Sequence, residues 1–143
     1  MPEIIKMKFT LESIYEKFES IKKFGDIKDL PIKTAYRIGK LLKSVLAELK
    51  ESEEIKAKLI EKYGEKQKSG YSNIKEENLK VYNDEWKEML KEEVELSFIK
   101  VPLTDIPQGS LTGNDIMNLE PFFTEDSIQK VMEDKLAEVE GNA

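Results

Sequence analysis

A row of basic side chains is the clearest chemical signal in this sequence. Lys33, Arg37, Lys40 and Lys43 recur at steps of three and four residues, and Tyr36 lies beside them. This spacing places all of them near one face of a helix. Such a face can bind phosphate groups by neutralising their charge, and an aromatic ring gives a base a surface on which to stack.

Two observations argue against nucleic-acid binding by this row. The chain has a pI near 5.0, and Arg37 is its one arginine, although arginine is favoured for reading base edges. Two interpretations stay open. The row can bind a nucleotide ligand, with Lys33, Arg37 and Lys40 on the phosphates and Tyr36 on the base, or it can pair with the acidic C-terminal third of the chain.

The residue types that are missing exclude most catalytic templates. The 143 residues include no Cys and no His, so there is no disulfide, thiolate nucleophile, imidazole base or usual zinc site. Glycine-rich phosphate loops and EF-hand loops are also absent from the sequence. Carboxylate pairs such as Asp84 and Glu88 are frequent, and in charged helices they are typical of a solvated face. We therefore expect a non-enzymatic protein that has no cofactor and no metal site.

The net charge of -6 is unevenly distributed along the chain. Residues 1–50 carry +4, residues 51–100 carry -3 and residues 101–143 carry -7. Such a chain can pair its own ends, associate with copies of itself or present its acidic end to a basic partner. No apolar run approaches the roughly 18 residues of a membrane span, and the first residues do not form a signal peptide. We expect a cytoplasmic protein without membrane association.

The elements that position the basic row follow from the hydrophobic spacing. Apolar residues alternate with lysines over residues 5–9, which predicts a short strand. Thr10 then caps a helix that Gly25 ends. A second helix of roughly 33 residues is predicted between Pro31 and Gly64, and its length of about 50 Å favours packing against a partner.

A third helix is predicted over residues 79–90, after a loop from Glu65 to Asn73. A helix in this place is expected to fold back antiparallel on the second helix. Its apolar stripe includes Leu79, Tyr82 and Trp86, which we assign to the core or to an interface.

The segment that follows the third helix is extended. Apolar residues alternate from Val94 to Phe98 and then, in the opposite phase, from Ile99 to Leu103. We therefore expect a bulge or a bend near Phe98 and Ile99. The predicted partner of this strand is the segment at residues 4–9, in a small sheet that must lie on helices or be extended by another subunit.

Two amphipathic helices are predicted at the C-terminal end. Thr112 and Asp115 indicate a capping box for a short helix that ends before Pro121. Thr124 is expected to cap a longer acidic helix, which either docks late on the core or forms an interface. The apolar stripe of this helix consists of Ile128, Val131, Met132, Leu136 and Val139.

Together these elements predict a mainly α fold. Its parts are a long antiparallel helical hairpin, an N-terminal helix, a small two-stranded β element and a C-terminal amphipathic helix. We expect residues 1–123 to form a single helical domain and residues 124–143 to form the acidic helix.

Four segments resemble a group of small uncharacterised proteins encoded by phages and prophages of Gram-positive bacteria. The segments are LPIKTAYRIGKLLKSVLAEL (30–49), LIEKYGEK (59–66), NDEWKEMLKEEVEL (83–96) and LTGNDIMNLEPFF (111–123). The resemblance covers roughly residues 7–123, and the acidic helix from Thr124 onward departs from it. The group has no agreed activity, so the resemblance implies an origin and no functional residue.

These observations lead us to expect a non-enzymatic phage or prophage accessory protein that acts by protein–protein contact and forms a homo-oligomer. One alternative is an anti-defence protein that sequesters a host nucleotide signal or inhibits a host defence protein. Another is a tail-assembly or packaging factor whose acidic helix docks on a basic phage protein.

Overall fold

The computed structural model describes residues 3–66 and 72–141, and it confirms a mainly helical fold with a small antiparallel sheet. Single turns of 3-10 helix occur at Glu76–Asn78, Leu103–Asp105 and Glu120–Phe122. The strands and longer helices are, in chain order, β1 (Ile4–Thr10), α1 (Leu11–Gly25), α2 (Ile32–Tyr63), β2 (Gly64–Lys66), β3 (Ser72–Ile74), α3 (Leu79–Leu90), β4 (Glu93–Ile99), α4 (Gly113–Leu119) and α5 (Glu125–Gly141).

The predicted pairing of the N-terminal strand is confirmed, because β1 and β4 form an antiparallel pair. Opposed residues share a face of the sheet, and the buried side chains Phe9, Leu96 and Phe98 mark the face that packs on the helices. β4 ends at Ile99, where the change of phase predicted a bend. Beyond it, Val101 forms a parallel bridge with the segment that follows α4.

Helix α2 is 32 residues long, or about 48 Å, and buries one face against α1 and the sheet. Ser52 interrupts its apolar row, yet its side chain is 1% exposed. The Ser52 hydroxyl donates to the carbonyl of Leu49 at 2.9 Å and lies 2.7 Å from the hydroxyl of Tyr15. The buried row therefore continues through a polar residue, because α1 supplies a hydrogen-bond partner.

The antiparallel helical hairpin of α2 and α3 is confirmed, but the described parts of its connection form two short strands that the sequence did not predict. Gly64 lies opposite Ile74 in a hairpin of β2 and β3, so the loop predicted from Glu65 to Asn73 is wrong at both of its ends. The turn residues predicted at 69 and 70 lie outside the described residues. A methyl group on Gly64 would lie 2.3 Å from the carbonyl oxygen of Ile60, which explains why glycine ends α2.

A cluster of phenylalanine rings fastens the C-terminal segment to the sheet and to α1. The ring of Phe122 lies 4.9 Å from Phe98 and 5.8 Å from Phe9, and Phe123 lies 5.4 Å from Phe24. This cluster holds the end of β4 in place, and it connects chain segments that are far apart in sequence.

The two C-terminal helices are tied to the rest of the chain by polar side chains. The predicted capping box of Thr112 and Asp115 is confirmed at the start of α4. At the start of α5, the Ser127 hydroxyl accepts a hydrogen bond of 2.9 Å from the main-chain N–H of Leu103. The first turns of α5 therefore dock on the core.

Gly39 lies inside α2, where a methyl group on its Cα would meet no atom within 4 Å. We expect Gly39→Ala to raise the free energy of unfolding by about 0.5–1 kcal/mol, because alanine loses less conformational freedom in a helix. Urea denaturation measures the change. Gly64→Ala is the matched contrast and is expected to be destabilising. A urea midpoint for Gly39→Ala below that of the wild-type protein would contradict the prediction.

Candidate binding groove

The structure places Lys33, Tyr36, Arg37 and Lys40 along one groove. The groove lies between the first part of α2, the start of β1 and the end of β4, and its volume is about 540 Å³. Lys43 does not line it, because ten residues of helix rotate this side chain about 80° away from Lys33. Lys43 is exposed to solvent instead.

The walls of the groove are largely apolar and come from three elements. Ile4 of β1 is 63% exposed and Ile32 of α2 is 85% exposed, while Phe98 and Ile99 line the groove from β4. Large apolar side chains that remain exposed together around a groove indicate a surface that a ligand or partner covers.

The groove is positively charged. Lys33, Arg37 and Lys40 line it, and no carboxylate among the residues that the structure describes does so. In the part of the chain that the structure describes, none of the three forms an ion pair. The one described ion pair between the basic first third and the acidic last third joins Lys23 to Asp115 at 3.1 Å. The groove is therefore suited to an anion.

Tyr36 gives the groove an accessible aromatic ring. Its side chain is 66% exposed, and the ammonium of Lys40 lies 5.5 Å from the centre of the ring. This distance is typical of a cation–π contact, which holds the charge beside the ring. A planar anionic group can therefore contact the ring and the cation together.

The hydroxyl groups that the described residues contribute to the groove are those of Tyr36, Ser44 and Ser97. The hydroxyl of Ser44 donates to the main-chain carbonyl of Lys40 at 3.1 Å, so it is not directed at a base that could activate it. Within residues 3–66 and 72–141, no group of three or more carboxylates is placed to hold a metal ion.

The residues predicted as an interface on α3 lie away from the groove. Leu79 is 45% exposed, and Tyr82 and Trp86 are half-buried. The ring of Trp86 is partly buried and lies edge-on to Tyr15 at 6.0 Å, with the ammonium of Lys56 5.0 Å from the ring centre. Its contacts connect α1, α2 and α3.

The apolar stripe predicted on α5 divides into two parts. Ile128 and Val131 are partly buried against the core, whereas Met132 and Leu136 are 60% and 61% exposed. The exposed part continues onto α4 through Met117, which is 71% exposed, and the two helices enclose a second groove of about 600 Å³. The sequence predicts Met117 on the short helix α4, but it could not show that the Met117 side chain stays exposed beside α5.

Sequence reasoning also missed the β-strand residues of the basic groove. Ile4 and Ile99 lie directly opposite each other in the sheet and meet the basic row of α2 only in the folded protein.

No helix of the described residues is long and apolar enough to cross a membrane. The chain matches no protein-family profile, no curated protein and no solved structure.

Proposed function

We propose that this protein is a non-enzymatic binding protein that captures an anionic partner in the groove between α2 and the sheet. One observation carries the proposal: Lys33, Arg37 and Lys40 line a groove to which the described residues contribute no carboxylate. Like charges three and four residues apart destabilise a helix, by about 0.2–0.5 kcal/mol per pair. A bound anion offsets this repulsion and gains from all three cations.

The size and chemistry of the groove also favour binding. Its volume of about 540 Å³ lies within the range of ligand pockets, which is roughly 300–1,000 Å³. Arginine forms paired hydrogen bonds with carboxylates and phosphates, and Arg37 is therefore the residue we expect to contribute most to affinity.

A nucleotide is a second candidate occupant, and the exposed ring of Tyr36 favours it. The base would stack on Tyr36 while Lys33, Arg37 and Lys40 bind the phosphates. If the protein has a phage or prophage origin, this activity would amount to sequestering a host nucleotide signal.

The charge reversal Lys33→Glu/Arg37→Glu tests the proposal, with Lys50→Glu/Lys58→Glu as the matched control. All four residues lie on α2, and only the first two line the groove. The probes are tripolyphosphate, ATP, cyclic dinucleotides and a glutamate-rich peptide, and the measurement is the shift in melting temperature, because a ligand stabilises the state that binds it.

We expect at least one probe to raise the melting temperature of the wild-type and control proteins, and high salt to reduce the effect. Loss of two charged hydrogen bonds should weaken binding of that probe by the groove variant at least about 100-fold. The proposal would be abandoned if no probe stabilised the wild-type protein, or if both double variants lost binding equally.

A further inference from the structure

β4 presents its edge to the groove. Ser97, Phe98 and Ile99 all line the groove, although successive side chains of a strand point to opposite faces of the sheet. Three successive lining residues therefore indicate that the groove runs along the edge of the strand. β4 has one partner, β1, among the residues that the structure describes, so this second edge carries no other described strand.

The hydrogen-bond register shows which main-chain groups point along that edge. The N–H of Leu11 donates to the carbonyl of Glu92 at 2.9 Å, and the register continues without a bulge. Opposed pairs of an antiparallel ladder alternate between hydrogen-bonded and non-hydrogen-bonded. Phe98 therefore bonds to β1, whereas the N–H and C=O groups of Ser97 and Ile99 point away from β1.

These outward groups are free in the described structure. Over residues 3–66 and 72–141, no main-chain or side-chain group forms a hydrogen bond with the outward N–H or C=O of Ser97 or Ile99. An unpaired strand edge is a template for another strand. This edge of β4 lies beside the exposed side chains of Ile4 and Ile32 and beside the cations of α2.

We propose that the groove binds an extended acidic peptide segment of a partner protein, which adds to β4 as a third, antiparallel strand. This inference rests on the proposed function and names the kind of partner. Strand addition obtains affinity from main-chain hydrogen bonds and specificity from alternate side chains. The peptide would bond to Ser97 and Ile99 and direct its carboxylates to Lys33, Arg37 and Lys40.

A peptide accounts for more of the groove than a nucleotide does. A nucleotide would use the cations and Tyr36 but would leave the N–H and C=O groups of β4 unpaired. In an antiparallel pair, opposed side chains share a face, so peptide residues bonded to Ser97 and Ile99 would lie on the face that carries Ile4. Those residues should be apolar, and the intervening residues, which face α2, should be acidic.

The test uses a blocked peptide of about six residues, the usual length of a strand, in which valine and glutamate alternate. Two derivatives carry N-methyl groups, one on the valine amides and the other on the glutamate amides. The geometry directs the valine amides at β4. We expect methylation of valine to weaken binding about tenfold or more, because it removes main-chain hydrogen bonds, and methylation of glutamate to leave binding nearly unchanged.

The second measurement is hydrogen exchange of individual amides in the wild-type protein. We expect the unmethylated peptide to slow exchange at Ser97 and Ile99 about tenfold or more and to leave the already bonded amide of Phe98 nearly unaffected. The Lys33→Glu/Arg37→Glu variant should lose the peptide, and Lys50→Glu/Lys58→Glu should keep it.

The outcomes separate this inference from the proposed function. Groove-dependent binding of a nucleotide without binding of the peptide would overturn the strand addition and leave an anion-binding groove. Equal binding of both methylated peptides would also overturn it. A dimer that protects Ser97 and Ile99 without any peptide would assign this edge to a second copy of the chain and overturn the inference as well.

Discussion

Phe122→Ala is expected to lower the free energy of unfolding by about 3–5 kcal/mol, the usual cost of removing a buried phenylalanine ring. Phe122 is 2% exposed. Its ring is edge-on to Phe98 at 4.9 Å and tilted to Phe9 at 5.8 Å, and such ring pairs contribute about 0.5–1.5 kcal/mol beyond burial. Since folded domains are stable by about 5–15 kcal/mol, the variant should lose a large fraction of the free energy of unfolding.

The same substitution should weaken the basic groove, because Phe98 both packs on Phe122 and lines the groove. Urea denaturation followed by circular dichroism measures stability, and the anionic probes measure binding. Phe122→Leu is the matched control and should cost less, since it keeps most of the apolar volume. The prediction would be contradicted if the urea midpoint of Phe122→Ala were no lower than that of Tyr36→Ala, a substitution at an exposed site.

Asp115→Ala is expected to lower the free energy of unfolding by about 2–3 kcal/mol. The substitution removes part of the capping box of α4 and leaves polar groups without a hydrogen-bond partner. Asp115 is 6% exposed. Its carboxylate accepts hydrogen bonds from the main-chain N–H of Thr112 at 3.0 Å, the hydroxyl of Ser20 at 2.8 Å and the ammonium of Lys23 at 3.1 Å. One side chain therefore joins α4 to α1.

Lys23→Ala and Asp115→Asn separate the contributions to this cluster. The side chain of Lys23 is 55% exposed. Lys23→Ala should therefore lower the free energy of unfolding by less than about 1 kcal/mol. Asp115→Asn keeps one acceptor oxygen and should be milder than Asp115→Ala. If Lys23→Ala proved as costly as Asp115→Ala, the ion pair and not the buried hydrogen bonds would hold α4 to α1.

The cluster also predicts a dependence of stability on pH. The main-chain N–H of Thr112, aided by Ser20 and Lys23, holds the pKa of Asp115 well below its usual range, against the opposing effect of burial. A depressed pKa means that the folded state releases this proton more readily than the unfolded state. The stabilisation is therefore complete well above the unfolded pKa of about 3.9 and is lost as the pH falls below it.

Stability of the wild-type and Asp115→Asn proteins across this acidic range measures the contribution of this carboxyl group. We expect the wild-type protein to lose more stability than Asp115→Asn as the pH falls, because the variant has no proton to bind at this position. Parallel pH profiles for the two proteins would show that Asp115 does not contribute in this way.

Much of the fold could be predicted from the sequence because it depends on local signals. Thr10 accepts a hydrogen bond from the N–H of Ser13, Gly25 ends α1, and Thr112 and Asp115 form their capping box. Each of these features acts over three or four residues. The β2–β3 hairpin was missed because its two short strands lack the hydrophobic alternation by which a strand is recognised.

The candidate site could be predicted only in part. Helical spacing brought Lys33, Tyr36, Arg37 and Lys40 to one face, which is a property of α2 alone. It could not show that Ile4 and Ile99 form the opposite wall of the groove. Nor could it show that the edge of β4 there pairs with no other described strand, or that the groove cations form no described ion pair.

Local signals in the sequence determined the ends of α1, α2 and α4, and which residues share a face of each helix. The tertiary structure decided which faces meet. It buried Ser52 against Tyr15, placed Asp115 against α1 and brought the start of β1 and the end of β4 to the basic row of α2. The physical reason is range: caps and helical spacing act between near neighbours, whereas a groove between distant segments depends on how all the apolar faces pack together.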